Sequence, residues 1–156
     1  MTRLVGAFER LEAAKGQALV MDLGQIRAHD FGRFGFAAGR AEWTDGDVVV
    51  AHPLFLSAVM GWGDGPPESD LRADGTEPSA TAGLPLEGLR LMGAGQDLTV
   101  HRAVAGGDHV AMSLTVDDVV LKDGKSGQLI VLTLRREYEL HDGTAVATCL
   151  ETFIAR

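Results

Sequence analysis

Residues 48–63 read VVVAHPLFLSAVMGWG, and their reading decides the fold. The segment opens as a β-branched run and turns at His52-Pro53. It continues over 54–62 (LFLSAVMGW) as a small-and-apolar stretch with helical spacing. A proline biases the preceding residue toward extended backbone, so His52 marks the corner where strand gives way to helix. The helix predicted over 54–62 is hydrophobic nearly all round, as expected of a helix wrapped by other structure.

The wrapping material lies downstream. From Leu89 onward the apolar pattern has period two, as in half-buried strands. LRLMGAGQDLTVHRAV places Leu98, Val100 and Arg102 on one face and Thr99 and His101 on the other. DHVAMSLTVDDVVL aligns Val110, Met112, Leu114 and Val116, and QLIVLTLRREYEL aligns Ile130, Leu132 and Leu134. TAVATCLETFIA closes the chain. Turn signals at Gly106-Gly107-Asp108, at 122–127 (KDGKSG) and at Asp142-Gly143 separate four antiparallel strands, the last by a hairpin dipeptide.

Upstream, residues 4–14 predict a short helix or ordered lead-in, and QALVMD (17–22) predicts a strand. A helix is expected from Gln25 to Ala38, with Ile26, Phe34, Ala37 and Ala38 on one stripe and Gly39 as its stop. Residues 63–88, rich in Gly, Pro, Ser and Asp, predict a long loop or flap. A sheet must have its apolar face covered, and the 54–62 helix is the natural cover. The expectation is an α+β hotdog fold, an antiparallel sheet around a central apolar helix, in one domain spanning 1–156.

The chain is 46% hydrophobic and 23% charged, enough to bury a core. No apolar run reaches the roughly 18 residues that would cross a bilayer. The start, MTRLVGAFERLEAAKG, lacks the apolar core of a signal peptide. The single cysteine, Cys149, sits in an apolar strand and reads as a small hydrophobe. Together these predict a cytoplasmic protein that does not act at a membrane. A net charge of −8 argues against nucleic acid as a partner. Arg27, Arg33 and Arg40, and the pair Arg135-Arg136, are either solvated or a landing site for an anionic carrier. Nucleotide, zinc and serine-hydrolase motifs are absent from the sequence, so neither a cofactor nor a metal is expected.

Four segments in order resemble the MaoC-like hydratase/dehydratase family, most closely its N-terminal, fatty-acid-synthase-type dehydratase region. They are IRAHDFGRFGFAAG, VVVAHPLFLSA, LRLMGAGQDLTVHRAVAGGD and the last two strands with their Asp-Gly hairpin. The resemblance covers residues 17–156. It implies 3-hydroxyacyl or 2-enoyl thioesters of coenzyme A or an acyl carrier protein, in fatty-acid or polyketide metabolism. It also implies reversible loss or addition of water, usually without a metal, and a dimer with the acyl tunnel at its interface.

Active members of that family carry an Asp after the FAAG-like helix and a His about five residues on, which act as general base and acid. Here the stretch is GRAEWTDGDVVVAHP, in which Arg40 stands near the Asp position and no His lies between Gly39 and Val50. His52 is the candidate acid/base, with Glu42 or Asp30 as its partner; otherwise its ring hydrogen-bonds a neighbouring carbonyl. Pro53, Leu54, Phe55, Gln96, His101 and Arg40 are the candidate substrate-binding residues, with Gln96 suited to hold the thioester carbonyl. Free N–H groups at the start of the 54–62 helix would serve as an oxyanion site. His109 and His141 flank turns and read as surface residues. The leading functional expectation is a hydro-lyase, or a related β-carbon addition enzyme, acting on acyl thioesters. The alternatives are a non-catalytic substrate-binding subunit of a heteromeric dehydratase, a thioesterase, and a structural homodimer with a vestigial pocket. Either a homodimer or a heterodimer with another hotdog chain fits these expectations.

Overall fold

The computed structural model describes residues 2–39, 43–58, 67–71, 84–86, 88–125 and 127–156. In chain order it contains α1 (Arg3–Ala13), β1 (Ala18–Gln25), α2 (Ala28–Ala37), β2 (Trp43–Asp45), β3 (Val48–Val50) and α3 (Phe55–Ala58). The strands β4 (Leu91–Val100), β5 (His109–Gly124), β6 (Gly127–Leu140) and β7 (Ala145–Ala155) follow. Residues 59–62 of the expected central helix, and most of the expected 63–88 flap, lie outside the described residues. A 3₁₀ turn at Glu68–Asp70 falls within the flap region.

The period-two half of the chain forms what its pattern predicts. Five antiparallel strands are ordered β1-β5-β6-β7-β4, and β2 pairs with β3 in a separate hairpin. The β5–β6 turn is tighter than the sequence suggests, because β5 runs to Gly124 and β6 resumes at Gly127, which has φ 116°. The predicted lead-in is a true helix. Thr2 caps α1 by accepting from the Val5 amide at 3.3 Å, and Ala7 and Leu11 bury its inner face.

In α2 the expected stripe is displaced. The buried residues are Phe31 and Gly35, whereas Ala37 and Ala38 are exposed. Ile26 is buried from the segment before the helix, where its amide donates to the Asp108 carbonyl at 2.8 Å. Gly39 ends the helix in left-handed backbone (φ 88°), with its N–H donating to the Phe36 carbonyl, as predicted.

Residues directly opposite in a ladder share a face. Tyr138, Arg136 and Leu134 face Ala147, Cys149 and Glu151 across β6–β7. Val100, Leu98 and Gln96 face those same three β7 residues across β4–β7. This inner face receives α3: the Tyr138 hydroxyl donates to the Leu56 carbonyl at 3.3 Å, and Phe55, Leu56 and Ser57 are buried. Complete burial of Phe55, at 1% exposure, contributes roughly 1.5–3 kcal/mol. A sheet curled around a central helix in this way is the hotdog arrangement.

Candidate active site at the His52 corner

Local chain chemistry fixes the corner. Pro53 has no N–H, so the first amide available to a cap after His52 is that of Leu54. The His52 ring takes it: Nδ1 accepts from the Leu54 N–H at 3.0 Å. The His52 carbonyl accepts from the Phe55 N–H at 2.8 Å. The ring therefore bonds a neighbouring N–H and not a neighbouring carbonyl as expected. A backbone N–H can only donate, so Nδ1 must present its lone pair and the proton resides on Nε2.

The ring is walled by aromatics. Trp43 on β2 meets it edge-on with centroids 4.6 Å apart, and Phe34 on α2 does so at 5.5 Å. Phe34 and Phe31 continue onto Phe55, at 5.7 and 6.2 Å. These T-shaped contacts hold α2, the β2–β3 hairpin and α3 around the imidazole. The hairpin is in turn tied down where the Ala51 amide donates to the Val104 carbonyl at 2.7 Å.

Beside the ring lies a cavity of about 220 Å³ lined by His52, Pro53, Leu56, Trp43, Val100 and Ala147. Arg102 and Asp45 add charge at its edge. The Arg102 guanidinium is committed to Asp108 at 3.3 Å. The wall is otherwise largely apolar, as in small-molecule sites generally.

The predicted site residues divide clearly. His52 and Pro53 line the cavity, whereas Phe55 belongs to the core beneath it and Leu54 is 45% exposed. The Asp30 carboxylate is engaged by Arg27 at 3.0 Å and lies 3.5 Å from His29, with no bond to His52. His101 sits on the outer face, its Nε2 bonded to the Thr148 hydroxyl at 3.0 Å. Thr148 alternates with the inward Ala147 and Cys149, so strand parity turns His101 away from the cavity. Gln96 is on the inner face, but its amide donates to Glu151 Oε1 at 3.3 Å. Arg40 and Glu42 lie outside the described residues. The expected oxyanion donors are partly consumed, since the Leu54 and Phe55 amides are both bound by His52.

Arg135 and Arg136 are not the surface pair they resemble in sequence. Arg135 is half-exposed and bonds Asp117 at 2.8 Å, whereas Arg136 is buried against Glu151 at 2.7 Å. Charged residues at in-facing strand positions were the signal for this buried pair. Trp43 and Arg102 were also missed, because the hairpin and the post-β4 segment reach the corner only through tertiary folding. Among the described residues no group of three His, Cys, Asp or Glu is placed to hold a metal. Among them, too, no helix is long and apolar enough to cross a membrane.

The family model for the FAS1-like dehydratase domain region matches residues 37–149, well over half of the chain. The chain belongs to this family. FAS1-like dehydratase regions are of the dehydratase/hydratase hotdog type. No curated protein matches this FAS1-like chain in sequence. Among solved structures it is similar to a chain of the ChsH1–ChsH2 complex from Mycobacterium tuberculosis (TM-score 0.66, 16% identity, 97% of this chain and 89% of that one). It is also similar to the R-hydratase PhaJ1 from Pseudomonas aeruginosa (0.60, 17%, 89% and 79%). A third similar structure is a MaoC-like dehydratase from Rhodospirillum rubrum (0.58, 18%, 90% and 91%). At these identities the likeness is one of fold, and the fold is the one the sequence predicted.

Proposed function

We propose that this FAS1-like chain is the thioester-holding half of a two-chain hotdog dehydratase/hydratase, whose partner hotdog chain supplies the Asp/His pair. The substrate class is a 2-enoyl or 3-hydroxyacyl thioester, and the overall reaction is reversible addition of water. One observation carries the choice over intrinsic catalysis: His52 Nδ1 is bound by the Leu54 amide. With the proton on Nε2, the neutral ring has no lone pair to offer a water, so it is not a general base. Acting as imidazolium would require breaking the bond that caps α3. What the ring can do is donate Nε2–H toward a carbonyl oxygen, polarising a thioester and holding it in place.

The sequence supports the same reading, since Arg40 stands near the family's Asp position and no His follows before Val50. A two-chain arrangement has a precedent of fold in the ChsH1–ChsH2 complex. The test is turnover of crotonyl-coenzyme A, followed by product mass. The purified chain alone is expected to leave it unchanged, and co-expression with a hotdog chain bearing the Asp/His pair to restore hydration. Hydration by the chain alone, abolished by His52→Ala, would overturn the proposal.

A further inference from the structure

The cavity at the His52 corner has a mouth and a floor. Asp45 and Pro53 are exposed at the mouth, beside Val100 on β4. The floor is apolar and buried: Leu56, Val104 and Val146 keep 5%, 4% and 1% exposure.

This floor is fixed in place. The Val146 carbonyl accepts from the His101 and Arg102 amides at 2.8 and 3.2 Å, which ties β7 to the segment after β4. The Val104 carbonyl accepts from the Ala51 amide at 2.7 Å, which ties that segment to the His-Pro corner. Tyr138 holds the Leu56 carbonyl from the sheet. Both valines are β-branched, so neither side chain swings aside without changing its one favoured rotamer. A longer ligand would have to break these backbone bonds to pass.

Volume then sets a limit. An apolar protein cavity of roughly 150 Å³ holds benzene, with its six carbons. In that ratio the 220 Å³ here admits about nine non-hydrogen atoms. The sulfur, oxygen and carbonyl carbon of a thioester use a third of them, leaving about six further chain carbons.

We infer that the site selects short-chain acyl thioesters, of up to about seven carbons, and that Val104 and Val146 set this length. The inference rests on the reading that the chain holds an acyl thioester at the His52 corner.

The experiment is calorimetric titration of the purified protein with butyryl, hexanoyl and decanoyl pantetheine. An open groove would gain affinity with every added methylene, making decanoyl the tightest. The floor described here predicts the opposite order at the long end. Hexanoyl is expected to bind most tightly, and decanoyl about tenfold or more weaker. Val146→Ala is expected to bring decanoyl to within about threefold of hexanoyl, with Val104→Ala as a second variant that deepens the same floor. Decanoyl binding as tight as hexanoyl in the unmodified protein, or a decanoyl penalty unchanged in the deepened variants, would overturn the proposal and leave the thioester-holding reading standing. If none of the three ligands binds, both readings fall.

Discussion

His52 Nδ1 accepts the Leu54 amide hydrogen at 3.0 Å, so the ring caps the start of the central helix. The cap has a measurable contribution. Loss of a side-chain cap costs roughly 0.5–2 kcal/mol. His52→Ala should destabilise by that amount in urea unfolding. His52→Asn, whose Oδ1 can accept from the same amide, should recover most of the loss. Equal destabilisation by both variants would show that aromatic packing, not capping, is the main role of the ring.

Tyr138 anchors the same helix from the sheet through its bond to the Leu56 carbonyl. Burial pushes its hydroxyl pKa from the ordinary 10 up to about 12. The neutral form is the one stabilised, so the contribution is intact below pH 10 and is lost as pH rises toward about 12. Alkaline denaturation should therefore set in across that window, and Tyr138→Phe should remove this component of the pH dependence. Loss of the hydrogen bond should cost about 1 kcal/mol at neutral pH.

The Arg136–Glu151 pair predicts strong non-additivity. Arg136→Leu leaves an uncompensated carboxylate on the inner face and should cost about 3–5 kcal/mol. The double variant Arg136→Leu/Glu151→Leu should lose far less than the sum of the two single changes. A double-mutant cycle in urea reads this directly, and additive losses would mean that the pair is not coupled.

Much of the fold was legible because period-two alternation is a local signal. Residues 110–116 and 130–134 alternate in the sequence as they do in the sheet, and Gly39 stops α2 where a left-handed residue is needed. The stripe of α2 was not legible, because Ile26 is buried by a backbone bond to Asp108 far along the chain. At the site, the sequence marked His52 and Pro53 but not the state of the ring. A cap that skips a proline is written in the His-Pro order, yet which ring nitrogen takes the Leu54 amide is read only from geometry. His101, expected among the substrate-binding residues, lies on the outer face bonded to Thr148, as its strand parity, opposite to Val100, already implied.

Cys149 is fully buried, and burial, followed by the charge of Glu151, pushes its thiol above the ordinary pKa. It should resist a thiol-specific disulfide reagent at mildly alkaline pH in the native protein and react at once in denaturant. Fast labelling of the native chain would contradict the packing described for the β6–β7 inner face.

The reading of this chain as a holder rather than a catalyst turns on one proton. Long-range proton–nitrogen correlation spectra of the ¹⁵N-histidine-labelled protein, with His52→Asn to assign the signal, measure it directly. The predicted result is a neutral His52 protonated on Nε2 with Nδ1 bare, and an Nε2 shift on binding an enoyl thioester. A ring protonated on Nδ1, with Nε2 free to take a proton from water, would contradict the account.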